Sequence, residues 1–217
     1  MNLDRGEFDR LFGQGIPRAD FLLFDRSVVY EVKEVENLDV ERQVRKLAKK
    51  GIMATDVFNQ HFCNSIINAL RKANRQVSCT KNALGLPNAL GLIILENLIP
   101  EKMPALTLLS VANQMMEKEL PSFEGVLCAD MINYLEDGTG DKVRLVQLMA
   151  RGTPDSERLA TFTDTLVKNM CSQQSIRFRP NVKLDAAHQL WHAEADGKYK
   201  RYAAGITFAH EMKDGCG

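Results

Sequence analysis

The sequence predicts an α/β protein in which helices flank a mixed central sheet. Four short apolar runs, Phe21 to Phe24, Val28 to Val35, Leu90 to Leu95 and Phe123 to Ala129, are bounded by turn residues and read as strands. Longer stretches with apolar residues every three or four positions lie between them and read as helices. Strands that alternate with helices need crossovers, so a central sheet with parallel neighbours is expected. At 217 residues, 45% hydrophobic and 26% charged, the chain is long enough for one core with embellishments.

The elements follow in order. A short amphipathic stretch, Leu3 to Phe12, precedes a tight antiparallel hairpin that turns at Asp25-Arg26-Ser27. Asp39 caps a helix running to Lys50, with Val40, Val44, Leu47 and Ala48 on one face and Gly51 as its stop. A longer helix begins near Thr55, carries the row Phe58, Phe62, Ile66, Ala69 and Ala73, and ends near Gln76. Leu84 to Ala89, with Gly85 and Pro87, is a loop before the strand at Leu90. Pro104 starts a helix from Ala105 to Leu120. Beyond the turn Asp137-Gly138-Thr139-Gly140, Val143 to Met149 reads as a strand, and Thr153-Pro154 opens a helix through Leu159, Phe162, Leu166, Val167 and Met170. From Ser175 onward the chain is rich in Arg, Lys and His. That tail fits a nucleic-acid surface, a dimer arm or an added packing layer.

The hairpin concentrates the chemistry. Alternation along a strand puts Glu31 and Lys33 on one face and Tyr30 and Val32 on the other. Folding about residues 25 to 27 brings the far end of the first strand beside the later part of the second, so Asp20 can approach Glu31 and Lys33. A one-residue slip would put Glu34 in the place of Glu31. Tyr30 and Val32, as core residues, argue against it. Two carboxylates and a lysine in apolar surroundings suit a magnesium ion, which takes hard oxygen ligands and also binds substrate phosphate. The blander reading is a strand whose alternating charges face solvent.

Asp20, ten intervening residues and then Glu31-Val32-Lys33 resemble the PD-(D/E)XK nuclease superfamily. The resemblance covers roughly residues 5 to 50 by motif. One departure is that the proline is Pro17, not a neighbour of Asp20. The resemblance implies a restriction-endonuclease-like fold, with residues 1–135 as a nuclease-like α/β core and 136–217 as a C-terminal extension packing on or completing it. It implies that Asp20 and Glu31 ligate Mg2+, with Mn2+ as a substitute, and that Lys33 assists the chemistry. Glu7 on the preceding helix and Gln43 on the following one would border the site. The implied activity is hydrolysis of phosphodiester bonds, in DNA rather than RNA. The alternative is a non-catalytic nucleic-acid or protein interaction protein that retains a nuclease-like core.

Net charge is zero, but the charge is unevenly spread. Between Asp39 and Lys81 nine Lys or Arg face three acidic residues, whereas from Glu96 to Asp141 nine acidic residues face two lysines. Arg42, Arg45, Lys46, Lys49, Arg71, Lys72 and Arg75 are therefore the candidates for contacting a phosphate backbone. A solvated helix face is the ordinary explanation of such a run. A homodimer would serve to cut two strands, although the sequence carries no assembly signature. The five cysteines are scattered without paired spacing, so neither a disulfide framework nor a zinc site is expected. His188 and His192 have helical spacing but no third ligand. No membrane span and no signal-peptide core are apparent, which points to the cytoplasm.

Overall fold

Strand formation begins at the hairpin. The computed structural model describes residues 2–3, 17–35, 54–98, 105–132, 135–136, 142–173, 176–180 and 199–208. In it β1 (Phe21–Leu23) pairs antiparallel with β2 (Val28–Val35), with Phe21 opposite Tyr30 and Leu23 opposite Val28. The Phe21 and Tyr30 rings stack at 4.7 Å, a cross-strand aromatic pair that fixes the register. Ser27 N–H donates to Phe24 O at 3.1 Å, closing a turn whose central residues, Asp25 and Arg26, have φ of 50° and 66°. Two positive φ values give the turn the twist that matches a hairpin. Phe24 is also left-handed, at φ 49°, which is costly for a bulky side chain. Its ring stacks on Phe162 at 4.6 Å, a contact that offsets part of that cost.

Helix α1 (Ala54–Ala83) crosses from β2 to β3 (Leu90–Asn97), and α2 (Ala105–Lys118) crosses from β3 to β4 (Gly125–Asp130). Strands β2, β3 and β4 run parallel, as such crossovers require. Two-residue β5 (Leu135–Glu136) and long β6 (Lys142–Arg151) pair antiparallel. Helix α3 (Asp155–Gln173) follows, then β7 (Ile176–Pro180) and β8 (Tyr199–Phe208). Among the described residues the mixed sheet has eight strands, in the order β1-β2-β3-β4-β6-β8-β7 with β5 beside β6. The α/β class and the mixed sheet flanked by helices are as the sequence predicts.

The sheet separates two apolar layers. One face buries Val29, Ile93, Leu95, Val126 and Cys128 beneath Ile66, Leu70, Ala73 and Val77 of α1 and Leu108, Ala112 and Met116 of α2. The other buries Val28, Tyr30, Leu92, Leu127 and Leu148 against Leu159 and Val167 of α3. Strand β3 is apolar on both faces because helices cover both. Gly91 permits a close approach there: a Cβ would lie 1.9 Å from Ser122 O.

The sequence places the end of the second helix at Gln76, but α1 continues to Ala83. Its buried row runs on through Val77 and Thr80, and Thr80 is polar, which breaks the apolar pattern. The tail contributes two strands, with β8 pairing to β6 and β7 to β8, so the sheet extends across position 135/136. The expected helix from Asp39 to Lys50, the turn at 137–140 and the segment with His188 and His192 lie outside the described residues. No helix among the described residues is long and apolar enough to cross a membrane.

Candidate functional site

The register of the hairpin assembles the site. With Phe21 opposite Tyr30, Asp20 stands one residue before the paired strand, opposite Glu31. Val29 and Val35 bury in the layer under α1 and α2, so Glu31 and Lys33, of the same parity, share that face. Asp20 N–H donates to Glu31 Oε2 at 3.0 Å, and Val32 N–H donates to Asp20 Oδ2 at 2.7 Å. Lys33 Nζ donates to Glu31 Oε1. Asp20, Glu31 and Lys33 therefore converge. The one-residue slip does not occur: Tyr30 is in the opposite core, and Glu34 is exposed, aligned with Glu96 of β3.

The electrostatics are unbalanced. Two carboxylates meet one ammonium, and Glu31 is completely buried while the Lys33 side chain is 19% exposed. Burial raises the Glu31 carboxyl to about 7; the Lys33 hydrogen bond opposes that rise and the Asp20 charge adds to it. Tyr30, behind the site, is raised to about 12 by burial and then by Asp20. Among the described residues nothing donates to Asp20 Oδ1. A cation between Asp20 and Glu31 would relieve their mutual repulsion.

The donor set fits magnesium, which is held by one or two carboxylates and keeps several waters. No group of three or more His, Cys, Asp or Glu that could hold a metal occurs among the described residues. Among the described residues, Asp20 and Glu31 are the carboxylates that converge here. Glu7 and Gln43, expected to border the site, lie outside the described residues, as do Arg42, Arg45, Lys46 and Lys49.

The other basic candidates sit on α1. Lys72 and Arg75 are exposed. Arg71 is exposed as well, but its guanidinium is engaged by Glu119, with Nε to Oε2 at 2.6 Å and Nη2 to Oε1 at 3.0 Å. Sequence reasoning missed two residues. Thr80 Oγ1 accepts from Ala19 N–H at 2.8 Å, and Gln76 Nε2 donates to Arg18 O at 2.8 Å. They lie four residues apart, one turn of α1, and bond backbone groups, so no side-chain pattern in the sequence marks them.

Asn97 and Asp130 form a second buried polar pair, at the far ends of β3 and β4. Asn97 Nδ2 donates to Asp130 Oδ2 at 3.2 Å, and Ile132 N–H donates to Asp130 Oδ1 at 3.2 Å. The latter bond makes an Asx turn that ends β4. Comparison with protein-family models, curated proteins and solved structures finds no match for the chain.

Proposed function

We propose that this protein is a metal-dependent nuclease of the PD-(D/E)XK type, hydrolysing phosphodiester bonds in DNA, with its sheet as the core of a restriction-endonuclease-like fold. One observation carries the reading: Asp20, Glu31 and Lys33, separated in sequence, meet on one sheet face with carboxylates in excess of lysine. Asp20 and Glu31 would hold Mg2+ or Mn2+, and the metal when bound would supply Lewis-acid activation of the phosphate and of water.

The chain's own groups do the rest. The Val32 amide fixes the Asp20 carboxylate, and the Asp20 amide fixes Glu31, so both ligands are oriented by main chain. Lys33, the more exposed partner of its ion pair, is the donor available to stabilise negative charge on a substrate phosphate. Lys72 and Arg75 would follow the backbone of the nucleic acid.

A non-catalytic interaction protein is the second reading, favoured by the complete burial of Glu31 and its pairing with Lys33. Magnesium calorimetry with a short DNA duplex, on wild type and on Asp20→Ala, Glu31→Ala and Lys33→Ala, separates the two. A nuclease loses metal binding in both carboxylate variants, keeps it in Lys33→Ala and loses cleavage in all three. Binding of DNA that ignores both magnesium and Asp20→Ala would establish the second reading.

A further inference from the structure

Asp20 has no paired strand residue before it, so something else must hold the chain that delivers it. Strand β1 begins at Phe21, and the segment 17–20 has no strand conformation. Ala19 is nevertheless fully buried, as is Thr80 on α1, and the bond between Ala19 N–H and Thr80 Oγ1 joins residues 61 apart in sequence. Gln76, one turn earlier on the same helix, bonds the preceding carbonyl, Arg18 O. Two residues on, Asp20 O accepts from Leu3 N–H at 2.8 Å. Three successive backbone positions are thus fixed from outside the hairpin.

These bonds are arranged to set an angle as well as a position. An amide donated to a helix hydroxyl and a carbonyl bonded to the same helix constrain the rotation of the backbone at residues 18 and 19. That rotation decides whether Asp20 N–H points at Glu31 Oε2 and whether Asp20 Oδ2 meets Val32 N–H. We infer that Thr80, seconded by Gln76, is a positioning residue that presents the Asp20 carboxylate for cation binding. The inference rests on the metal-dependent reading of the Asp20–Glu31–Lys33 site. It adds that the ligand geometry is set by α1, a distant segment, and not by the hairpin alone.

Removing the hydroxyl while keeping the shape tests this. Thr80→Val leaves the Ala19 amide buried without its acceptor, whereas Thr80→Ser keeps the oxygen. Partners that orient a metal ligand typically change affinity by about 10- to 100-fold. Magnesium affinity, measured by calorimetry on protein shown to be folded by circular dichroism, should fall by about tenfold in Thr80→Val and return in Thr80→Ser. Lys81→Met, which removes a bond to Ser122 O near the Gly91 end of the sheet, serves as a destabilised control whose magnesium affinity should match wild type. Gln76→Met carries the same test if Thr80→Val does not fold, with a severalfold loss expected.

The outcomes are distinguishable. Wild type and Asp20→Ala that both fail to bind magnesium overturn the metal site, and this inference with it. Wild type that binds, Asp20→Ala that does not, and Thr80→Val or Gln76→Met that bind like wild type overturn the positioning role alone. An equal loss in Lys81→Met would also overturn it, because the effect would then follow stability and not the segment before Asp20.

Discussion

Two lysine–glutamate pairs in this molecule look alike in a list of ion pairs but differ in what they join. Lys81 of α1 reaches Glu124 at 3.4 Å and also donates to Ser122 O at 2.9 Å, while Glu124 accepts from Gly91 N–H. A helix, a loop and the start of β3 are tied by one charge of each sign. Lys33 and Glu31 lie two residues apart on one strand, so their bond ties no distant segments together. Their site also holds a second carboxylate, Asp20. The first pair explains its own existence through tertiary structure, whereas the second sits beside a half-buried carboxylate, Asp20, that its lysine does not match and that folding alone does not require.

The largest expected effect breaks the comparison at its functional end. Asp20→Asn keeps the size of the side chain and removes its charge. Cleavage of a DNA duplex should fall by about three orders of magnitude, since a bound metal is worth several kcal/mol to the transition state. Thermal stability without metal should hold or rise, because Asp20 raises the cost of ionising Glu31. Unchanged cleavage would leave the paired carboxylates Asp20 and Glu31 without a catalytic account.

The pH dependence of stability sharpens the contrast. Glu31 titrates near 7 in the folded protein against an ordinary value of 4.5, so between these values the folded state binds more protons than the unfolded one. Stability of the metal-free protein should therefore fall as pH rises through this window, by on the order of 3 kcal/mol. Glu31→Gln should flatten that slope in urea titrations at pH 5 and pH 8. A slope that persists in Glu31→Gln would locate the proton elsewhere.

At the opposite pole the expected effect is on stability alone. Gly91→Ala would drive a Cβ toward Ser122 O, a backbone atom that cannot rotate away, and disturb the amide that Glu124 accepts. A loss of about 2 kcal/mol is expected in denaturant unfolding, with magnesium affinity of the folded fraction unchanged. A change in magnesium affinity would show that the two poles are coupled through β3.

What was legible in the sequence follows the same division. Strand β3 is a run of Leu and Ile covered on both faces, and β2 and β4 carry the apolar stretches Val28-Val29-Tyr30 and Val126-Leu127-Cys128-Ala129, so buried apolar residues were enough to find them. The convergence of Asp20, Glu31 and Lys33 was legible too, because strand parity and a short turn determine it. The turn itself was harder: Phe24 adopts a left-handed conformation, and its stabilising partner, Phe162, comes from α3, far along the chain. Thr80 and Gln76 were invisible for a related reason. Their roles depend on backbone groups of Arg18 and Ala19, which no side-chain pattern encodes. Strand β8 carries Lys200 and Arg201 among its apolar residues, and its pairing with β6 appears only once the sheet is built.

The smallest expected effect concerns the basic face of α1, where sequence and structure give different weights to neighbours. Arg71, Lys72 and Arg75 are equivalent as charges along a helix. In the fold Arg71 makes a two-pronged bond to Glu119 of the turn after α2, so its charge is already matched and its geometry fixed. The exposed pair adds little to stability, and Arg71→Ala should not move the thermal midpoint beyond the error of a melt. Its value lies in the comparison with its neighbours. If Lys72 and Arg75 contact phosphates, each alanine variant should weaken DNA binding across sequences and reduce the salt slope by about one. Arg71→Ala should leave that slope unchanged. Equal losses at all three positions would mean that the Glu119 pair opens on binding. No loss at any of them would move the nucleic-acid surface off this helix.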